Sequence, residues 1–338
     1  MIKEAINSLV SGESLTFEHA SGAMEEIING DATPAQISAF ITALRIKGET
    51  ADEIAGLASV MQARATPVKV SGATIDIVGT GGDGSNSFNI STAAAFVAAG
   101  AGLKVAKHGN RAASSQCGSA DILEALGVKI ELGPEAVAEC IETIGIGFMF
   151  APSFHPAMKH AAVPRREIGI RTVFNILGPL TNPARTDYML LGVPSEMLAT
   201  KIALVLHRLG TKHSLVVHSM DGMDEISISG GTMVWDVTEA ELAQPYEVFP
   251  YHFGFKQASQ DKIRGGMPEE NAATMRRIFD GEKGAVRNVV VMNAAAALIA
   301  GNATEDLKHA TQLAEEAIDS GRAGEKLNKL VELSQRLG

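Results

Sequence analysis

Residues 76–126 read DIVGTGGDGSNSFNISTAAAFVAAGAGLKVAKHGNRAASSQCGSADILEAL, and the rest of the chain is organised around them. A short apolar strand, Ile75 to Val78, runs into Gly79-Thr80-Gly81-Gly82-Asp83-Gly84. Glycines at that density let a backbone turn tightly and present N–H groups to an anion with no Cβ in the way. Polar residues Asn86 to Thr92 follow, and an Ala-rich helix then begins, with Ser91 or Thr92 as the expected N-cap. The helix N-terminus therefore faces the same space as the glycine loop. A second strand, expected at Leu103 to Ala106, delivers Lys107-His108-Gly109-Asn110-Arg111 and then Ser114-Ser115, and another helix starts near Ser119. Two strand ends and two helix starts aim glycines, hydroxyls, Lys107 and Arg111 at one place. That arrangement suits a multiply phosphorylated ligand.

A plain turn is the competing reading of any glycine-rich loop after a strand. This one is not a Walker loop, because no Gly-Lys-Ser/Thr follows, and it lacks the spacing of the dinucleotide fingerprint. The second basic, glycine-bearing loop at Lys107 to Arg111 favours an anion site over a turn alone.

The chain has 338 residues, enough for two domains. It is 46% hydrophobic and 20% charged, as ordinary globular enzymes are. Its 29 basic and 39 acidic residues give a net charge of −10, which argues against nucleic acid as a partner. The basic residues in the glycine loops are thus read as local, serving a small anionic ligand. Cys117 and Cys140 lie in no metal-ligand spacing and fit a reducing compartment. Cys117 is not read as a nucleophile, because loop geometry explains its neighbours. There is no basic segment followed by a long apolar run, and no window of eighteen apolar residues, so a cytoplasmic protein without a membrane partner is expected.

Residues 1–66 read as four short amphipathic helices. Ile2, Ala5, Ile6, Leu9 and Val10 recur at helical spacing, as do Phe17, Ala20, Met24, Ile27 and Ile28. Thr33-Pro34-Ala35-Gln36 and Thr50-Ala51-Asp52-Glu53 are capping boxes, each followed by an apolar stripe. This unit is expected to pack, and to dimerise, without chemistry of its own. From Val70 the period changes. Strand-length runs at Thr74–Val78, Leu103–Ala106, Ile146–Phe150, Tyr188–Val193 and Leu215–His218 alternate with helices starting near Ser91, Ser119, Pro134 and Ser195. Alternation of this kind predicts a largely parallel sheet covered by helices, with ligands beyond the carboxyl ends of its strands. The fold class is therefore α/β: a small helical domain, 1–66, and a larger α/β domain, 70–338.

Residues 151–184 interrupt the alternation and are read as a crossing between domains, with part of 164–185 rejoining the helical bundle. Arg165, Arg166 and Arg171 there are either solvated charges or, near a cleft, partners for a ligand carboxylate. His218 to Glu225 follows an apolar strand. Asp221 before Gly222 reads as a turn former, and the adjacent Asp224 and Glu225 as candidate ligands for a phosphate-bound metal. Glu225 to Trp235 alternates like a hairpin turning at Gly230-Gly231. Helices are predicted over 268–279, 286–300, 304–318 and 323–333, with Asn293 packed rather than catalytic. No long linker, low-complexity tract or internal repeat is present.

At Gly79-Thr80-Gly81-Gly82-Asp83, Asn89-Ile90-Ser91-Thr92, Lys107 to Arg111, Phe174 to Pro183 and Asp224-Glu225 the chain resembles the anthranilate phosphoribosyltransferases over nearly its whole length. The resemblance implies transfer of phosphoribose from phosphoribosyl pyrophosphate (PRPP) to the amine of anthranilate, in tryptophan biosynthesis, with Mg²⁺. It also implies a fold like that of pyrimidine nucleoside phosphorylases and a homodimer formed through the helical domain. Carried over by position, Gly79, Gly82, Asp83, Ser87, Asn89, Ile90, Ser91, Thr92, Lys107, His108, Gly109, Asn110, Arg111, Ala112, Ala113, Ser114, Ser115 and Ser119 would hold PRPP. Gly79, Asn110 and Arg165 would hold anthranilate, and Ser91, Asp224 and Glu225 would ligate Mg²⁺. Ser87 stands where the family often has threonine, which keeps the hydroxyl. His108 is read as structural or substrate-positioning, with general base as the alternative. A nucleoside phosphorylase is the nearest rival, and it would not need the Asp224-Glu225 pair. A non-catalytic nucleic-acid binder of the same fold is opposed by the net charge.

Overall fold

The computed structural model describes residues 1–112 and 115–338; Ala113 and Ser114, two of the residues expected at PRPP, lie outside them. The chain opens with four helices, α1 Ile2–Val10, α2 Phe17–Asn29, α3 Pro34–Lys47 and α4 Ala51–Ala63. Both capping boxes form. Thr33 and Gln36 exchange bonds at the start of α3, and Thr50 and Glu53 do so at the start of α4. Glu53 is fully buried because it is fully occupied: Leu15 N–H, Thr50 N–H and the Lys47 ammonium all reach it within 3.0 Å. Val10 departs from its expected place on the apolar stripe. It is the last residue of α1 and stands 75% exposed.

A seven-stranded sheet follows. Its strands are β1 Ile75–Gly79, β2 Val105–Gly109, β3 Ile146–Phe150, β4 Tyr188–Gly192, β5 His213–Ser219, β6 Thr232–Thr238 and β7 Tyr246–Val248, in the order β3-β2-β1-β4-β5-β6-β7. The first five strands pair in parallel and the last two are antiparallel. The expected architecture, a small helical domain and a larger α/β domain with a mainly parallel sheet, is the one observed. The order reverses between β1 and β4. Ligands in open parallel sheets bind at such a switch point, outside the carboxyl ends of the strands. Helices α5 Ile90–Gly100, α6 Ser119–Ala125 and α7 Pro134–Ile144 make the crossovers on the β1 side.

Two apolar clusters lie on either side of the sheet. One gathers α5, α6, α7, the helix Ala285–Ala300 and the C-terminal helices. The other runs from α1–α4 through Ala161, Phe174 and Leu177 of the crossing to Leu191, Val193 and the helix Glu196–Leu209. Among the described residues no helix is long and apolar enough to cross a membrane.

Three local expectations are corrected. α5 starts at Ile90, with Asn89 rather than Ser91 or Thr92 at the N-cap and no side-chain capping bond. Asn89 is drawn elsewhere, as described below. β2 begins later than expected and runs through Lys107 and His108, whose polar groups find buried partners. The hairpin over Glu225 to Trp235 does not form. Asp221 instead gathers the hydroxyls of Ser219, Ser227 and Ser229, which folds residues 220–231 as a loop and leaves β5 to pair with β6.

Candidate active site

The carboxyl ends of β1 and β4 finish in register at Gly79 and Gly192. The loop after β5 lies directly over them. A Cβ on Gly79 would stand 2.4 Å from Asp224 Oδ2, and one on Gly192 only 1.7 Å from the Asp224 carbonyl oxygen. Neither contact is sterically possible, so these two glycines are what lets Asp224 reach the sheet edge. Gly81 N–H donates to Asp224 Oδ2 at 2.6 Å. Ser91 N–H, in the first turn of α5, donates to Glu225 Oε1 at 3.1 Å. A helix N-terminus leaves such N–H groups without intrahelical partners, and here an acidic side chain takes one. The glycine loop, the start of α5 and the acidic pair, far apart in sequence, therefore meet.

The acidic pair is short of positive charge. Burial pushes the carboxyls of both Asp224 and Glu225 well up. Asp83 adds to the rise at Asp224, and Asp224 adds to the rise at Glu225. Among the described residues the one buried cation nearby is Lys107. Burial pulls its ammonium down, while Asp76 and Glu225 oppose that pull. Its Nζ donates to the Ile77 carbonyl at 2.5 Å, so it crosses from β2 to β1 beneath the glycine loop. Thr80 Oγ1 and Asp83 Oδ2 are buried without a protein partner. Among the described residues no three His, Cys, Asp or Glu side chains are arranged to hold a metal by themselves.

A second polar layer lies under the first. β1 and β2 share one register pair, Ile75 with Val105. Beyond it, Asn182 fills the gap, donating to Asp76 Oδ2 at 2.7 Å and to the Ala106 carbonyl at 2.8 Å. The His108 backbone N–H also reaches Asp76, at 3.3 Å. Burial pushes the Asp76 carboxyl up to about 6 against the pull of Lys107 and Asn182. The His108 ring rests with Nδ1 3.2 Å from the Gly178 carbonyl, while its Nε2 is buried and unpartnered. Burial, helped by His155, pushes its pKa down to about 3, so the ring is neutral, with Nδ1–H donating and Nε2 free to accept.

The second basic loop is closed at its foot by Asp121. Its Oδ2 accepts from Ala112 N–H at 2.9 Å and from Gly118 N–H at 2.8 Å. A Cβ on Gly118 would lie 2.4 Å from Ala112 N. Gly109 and Ser119 meet as closely, and Ser119 Oγ donates to the Asn110 carbonyl at 3.3 Å. Asn89 ties this loop to the first one, donating to the Cys117 carbonyl at 3.0 Å and accepting from Asn271 Nδ2 at 2.9 Å. Thr92 is buried, Ile90 is core, and Ser87 pairs with Arg264 across a short bridge. Ser115 is exposed. Arg111 turns away from the glycine loop. It pairs with Asp121 at 3.2 Å and with Glu124, and its guanidinium lies 5.6 Å from the Phe150 ring centre. Arg165 comes from the crossing helix Lys159–Ile168 and lies over Phe174 at 5.1 Å. Burial holds its guanidinium below its ordinary value, and it has no carboxylate partner among the described residues.

Asp76, Asn182 and Asn293 are not singled out as site residues by the sequence, and Arg171, read there as a solvated charge or a carboxylate partner, instead meets the Gly81 carbonyl. Asp76 carries a signal, as a lone carboxylate inside an apolar strand. Asn293 holds the backbone of Ile226, next to Glu225, through bonds at 2.9 and 3.0 Å. Its sequence shows only a polar residue within an apolar helix.

Residues 3–65 match the family model described as the helical bundle domain of a glycosyl transferase family, and residues 71–324 match that of its a/b domain. An anthranilate phosphoribosyltransferase of Dehalococcoides mccartyi is 59% identical over 338 residues, spanning 100% of this chain and 99% of its own. The crystal structure of the Thermus thermophilus anthranilate phosphoribosyltransferase is 44% identical, with a TM-score of 0.93 over 98% of this chain and 99% of the other. That of the Saccharomyces cerevisiae enzyme in complex with PRPP and Mg is 29% identical, with a TM-score of 0.91 over 99% of this chain and 98% of the other. Full-length identity of this order, on a shared two-domain fold, means that the chain belongs to the anthranilate phosphoribosyltransferase family.

Proposed function

We propose that the carboxyl edge of β1 and β4 holds the diphosphate of PRPP, and that the space between it and Arg165 holds anthranilate. The protein transfers the 5-phosphoribosyl group of PRPP to the amine of anthranilate, giving N-(5-phosphoribosyl)anthranilate and pyrophosphate, in tryptophan biosynthesis. The observation that carries the site assignment is the meeting of Gly81, Ser91, Asp224 and Glu225 within hydrogen-bond distance.

Mg²⁺ fits this donor set. Two buried carboxylates with raised pKa values have a single buried cation, Lys107, near them among the described residues, and Mg²⁺ is typically held by one or two carboxylates with substrate phosphates supplying the rest. Asp224, Glu225 and Ser91 would hold it, and bound there it neutralises charge on the departing pyrophosphate.

In the reaction the bond from ribose C1 to pyrophosphate breaks with its electron pair leaving on the pyrophosphate, the bond from C1 to the anthranilate nitrogen forms, and the amine proton passes to solvent. Among the described residues the N–H groups of Gly82, Asp83 and Gly84 have no partner and are available to phosphate oxygens. Donors already in place where charge grows stabilise a transition state most. An aryl amine arrives unprotonated, so positioning matters more than a strong base. Arg165 pairs its fork with the anthranilate carboxylate, with Asn110 and Gly79 completing that pocket. His108 positions substrate through its free Nε2. Of the remaining residues carried over from the family, Gly109, Ala112 and Ser119 hold the second loop in shape, and the exposed Ser115 belongs to the same loop.

The helical unit, 1–66 joined by part of 164–185, also carries the homodimer contact. Val10 and Ile46 support this, standing 75% and 82% exposed on α1 and α3, which pack against each other. Two unpaired cysteines fit the cytoplasm.

Loss of anthranilate fluorescence on adding PRPP and Mg²⁺ tests the reading. A steady decline is expected. No decline, together with phosphorolysis of thymidine or uridine, would assign the protein to the nucleoside phosphorylases instead.

A further inference from the structure

Gly81 is gripped from both sides. Its N–H donates to Asp224 Oδ2 at 2.6 Å, and its carbonyl accepts from Arg171 Nη2 at 2.9 Å. Arg171 belongs to the crossing between the sheet and the bundle, one residue before Thr172 and six after Arg165. Its guanidinium also fills the space beside Gly82, where a Cβ would fall 1.5 Å from Nη1. The side chain is exposed, and this is its one hydrogen bond and its only polar partner among the described residues.

Gly81 and Gly82 both stand at positive φ, +68° and +78°. Two successive glycines impose little preference on the peptide between them, so something outside must fix it. A trans peptide carries its C=O and N–H on opposite sides, and no peptide bond among the described residues is cis. Holding the Gly81 carbonyl on Arg171 therefore turns the Gly82 N–H away from the arginine. That N–H has no partner among the described residues.

We propose that Arg171 is a positioning residue for the diphosphate of the donor. It fixes the Gly81–Gly82 peptide with its N–H presented to a phosphate oxygen. Because it comes from the crossing segment, it also makes donor affinity depend on where that segment sits. The inference rests on the placement of PRPP given under Proposed function. Lysine could replace the single bond but not the planar group that fills the space over Gly82.

The test compares wild type with Arg171→Ala and Arg171→Lys. Steady-state KM values for PRPP and for anthranilate are measured, together with the calorimetric Kd for pyrophosphate with Mg²⁺ and the Tm. Arg171→Ala should raise the PRPP KM and the pyrophosphate Kd in parallel, each about tenfold, as expected when a charge-assisted hydrogen bond that orders a binding group is lost. The anthranilate KM should stay within about twofold, and Arg171→Lys should recover part of the loss. A lower Tm with both donor constants unchanged would overturn the proposal in favour of a purely structural contact. Equal rises in the two KM values would overturn it in favour of direct anthranilate binding. Should the wild type turn over no anthranilate, the functional reading fails, while the pyrophosphate titration still decides the role of Arg171.

Discussion

The carboxylate of Asp224 stands 2.6 Å from the backbone N–H of Gly81, although 143 residues separate them in sequence. It reaches that position only because Gly79 and Gly192 present no Cβ beneath it. One buried acid is thereby set against a glycine loop, a neighbouring Glu225 and Asp83, with Lys107 as the nearby cation. Such an arrangement costs stability in the free protein, and perturbed carboxyls of this kind cluster at functional sites.

That cost has a pH signature. Burial raises the Asp224 carboxyl above its unfolded value, so its contribution to stability is fully present below the unfolded pKa and lost as pH rises through the folded one. Asp224→Asn removes the titration while keeping an acceptor for Gly81 N–H. The metal-free variant should therefore gain Tm over wild type at pH 8, and gain less at pH 5. Thermal unfolding at the two pH values checks this. An equal or negative change at pH 8 contradicts it.

Arg165 should act on one substrate. Its guanidinium is half-buried over Phe174 and has no carboxylate partner among the described residues. Arg165→Ala should raise the anthranilate KM far more than the PRPP KM, by about tenfold or more for a lost charge-assisted pair. Equal effects in initial-rate kinetics would remove the assignment.

Asn182 holds the ends of β1 and β2 in their places. Asn182→Ala leaves Asp76 and the Ala106 carbonyl short of a buried donor, which costs on the order of 1–3 kcal/mol. The Asp76 carboxyl, already pushed up to about 6, should rise further without that bond. Stability tied to a raised carboxyl is lost with increasing pH, so the deficit against wild type should be larger at pH 8 than at pH 5. Urea unfolding at both values measures it, and a pH-independent deficit would contradict the account.

Much of this site was legible in the sequence, for local reasons. The glycine loop, the Lys107 loop and the acidic pair each follow a strand, and a strand's carboxyl end is where an open parallel sheet places its ligands. The capping boxes at Thr33 and Thr50 fixed two helix starts because their partners lie three residues away. What stayed hidden depends on distant partners. β2 extends through Lys107 and His108 along its ladder with β3, and Ile77, Asp76 and Gly178 receive the polar groups of those two residues. The 220–231 loop, which alternates like a hairpin, is shaped by three hydroxyls converging on Asp221. Arg171 gave no sign of its grip on Gly81, since nothing about an arginine before a threonine says which carbonyl it will meet.

The most direct test of the central claim is the double variant Asp224→Asn with Glu225→Gln, followed by anthranilate fluorescence in PRPP and Mg²⁺ and by thermal unfolding. The account predicts a folded protein with no Mg²⁺-dependent turnover. Turnover at the wild-type rate would contradict it.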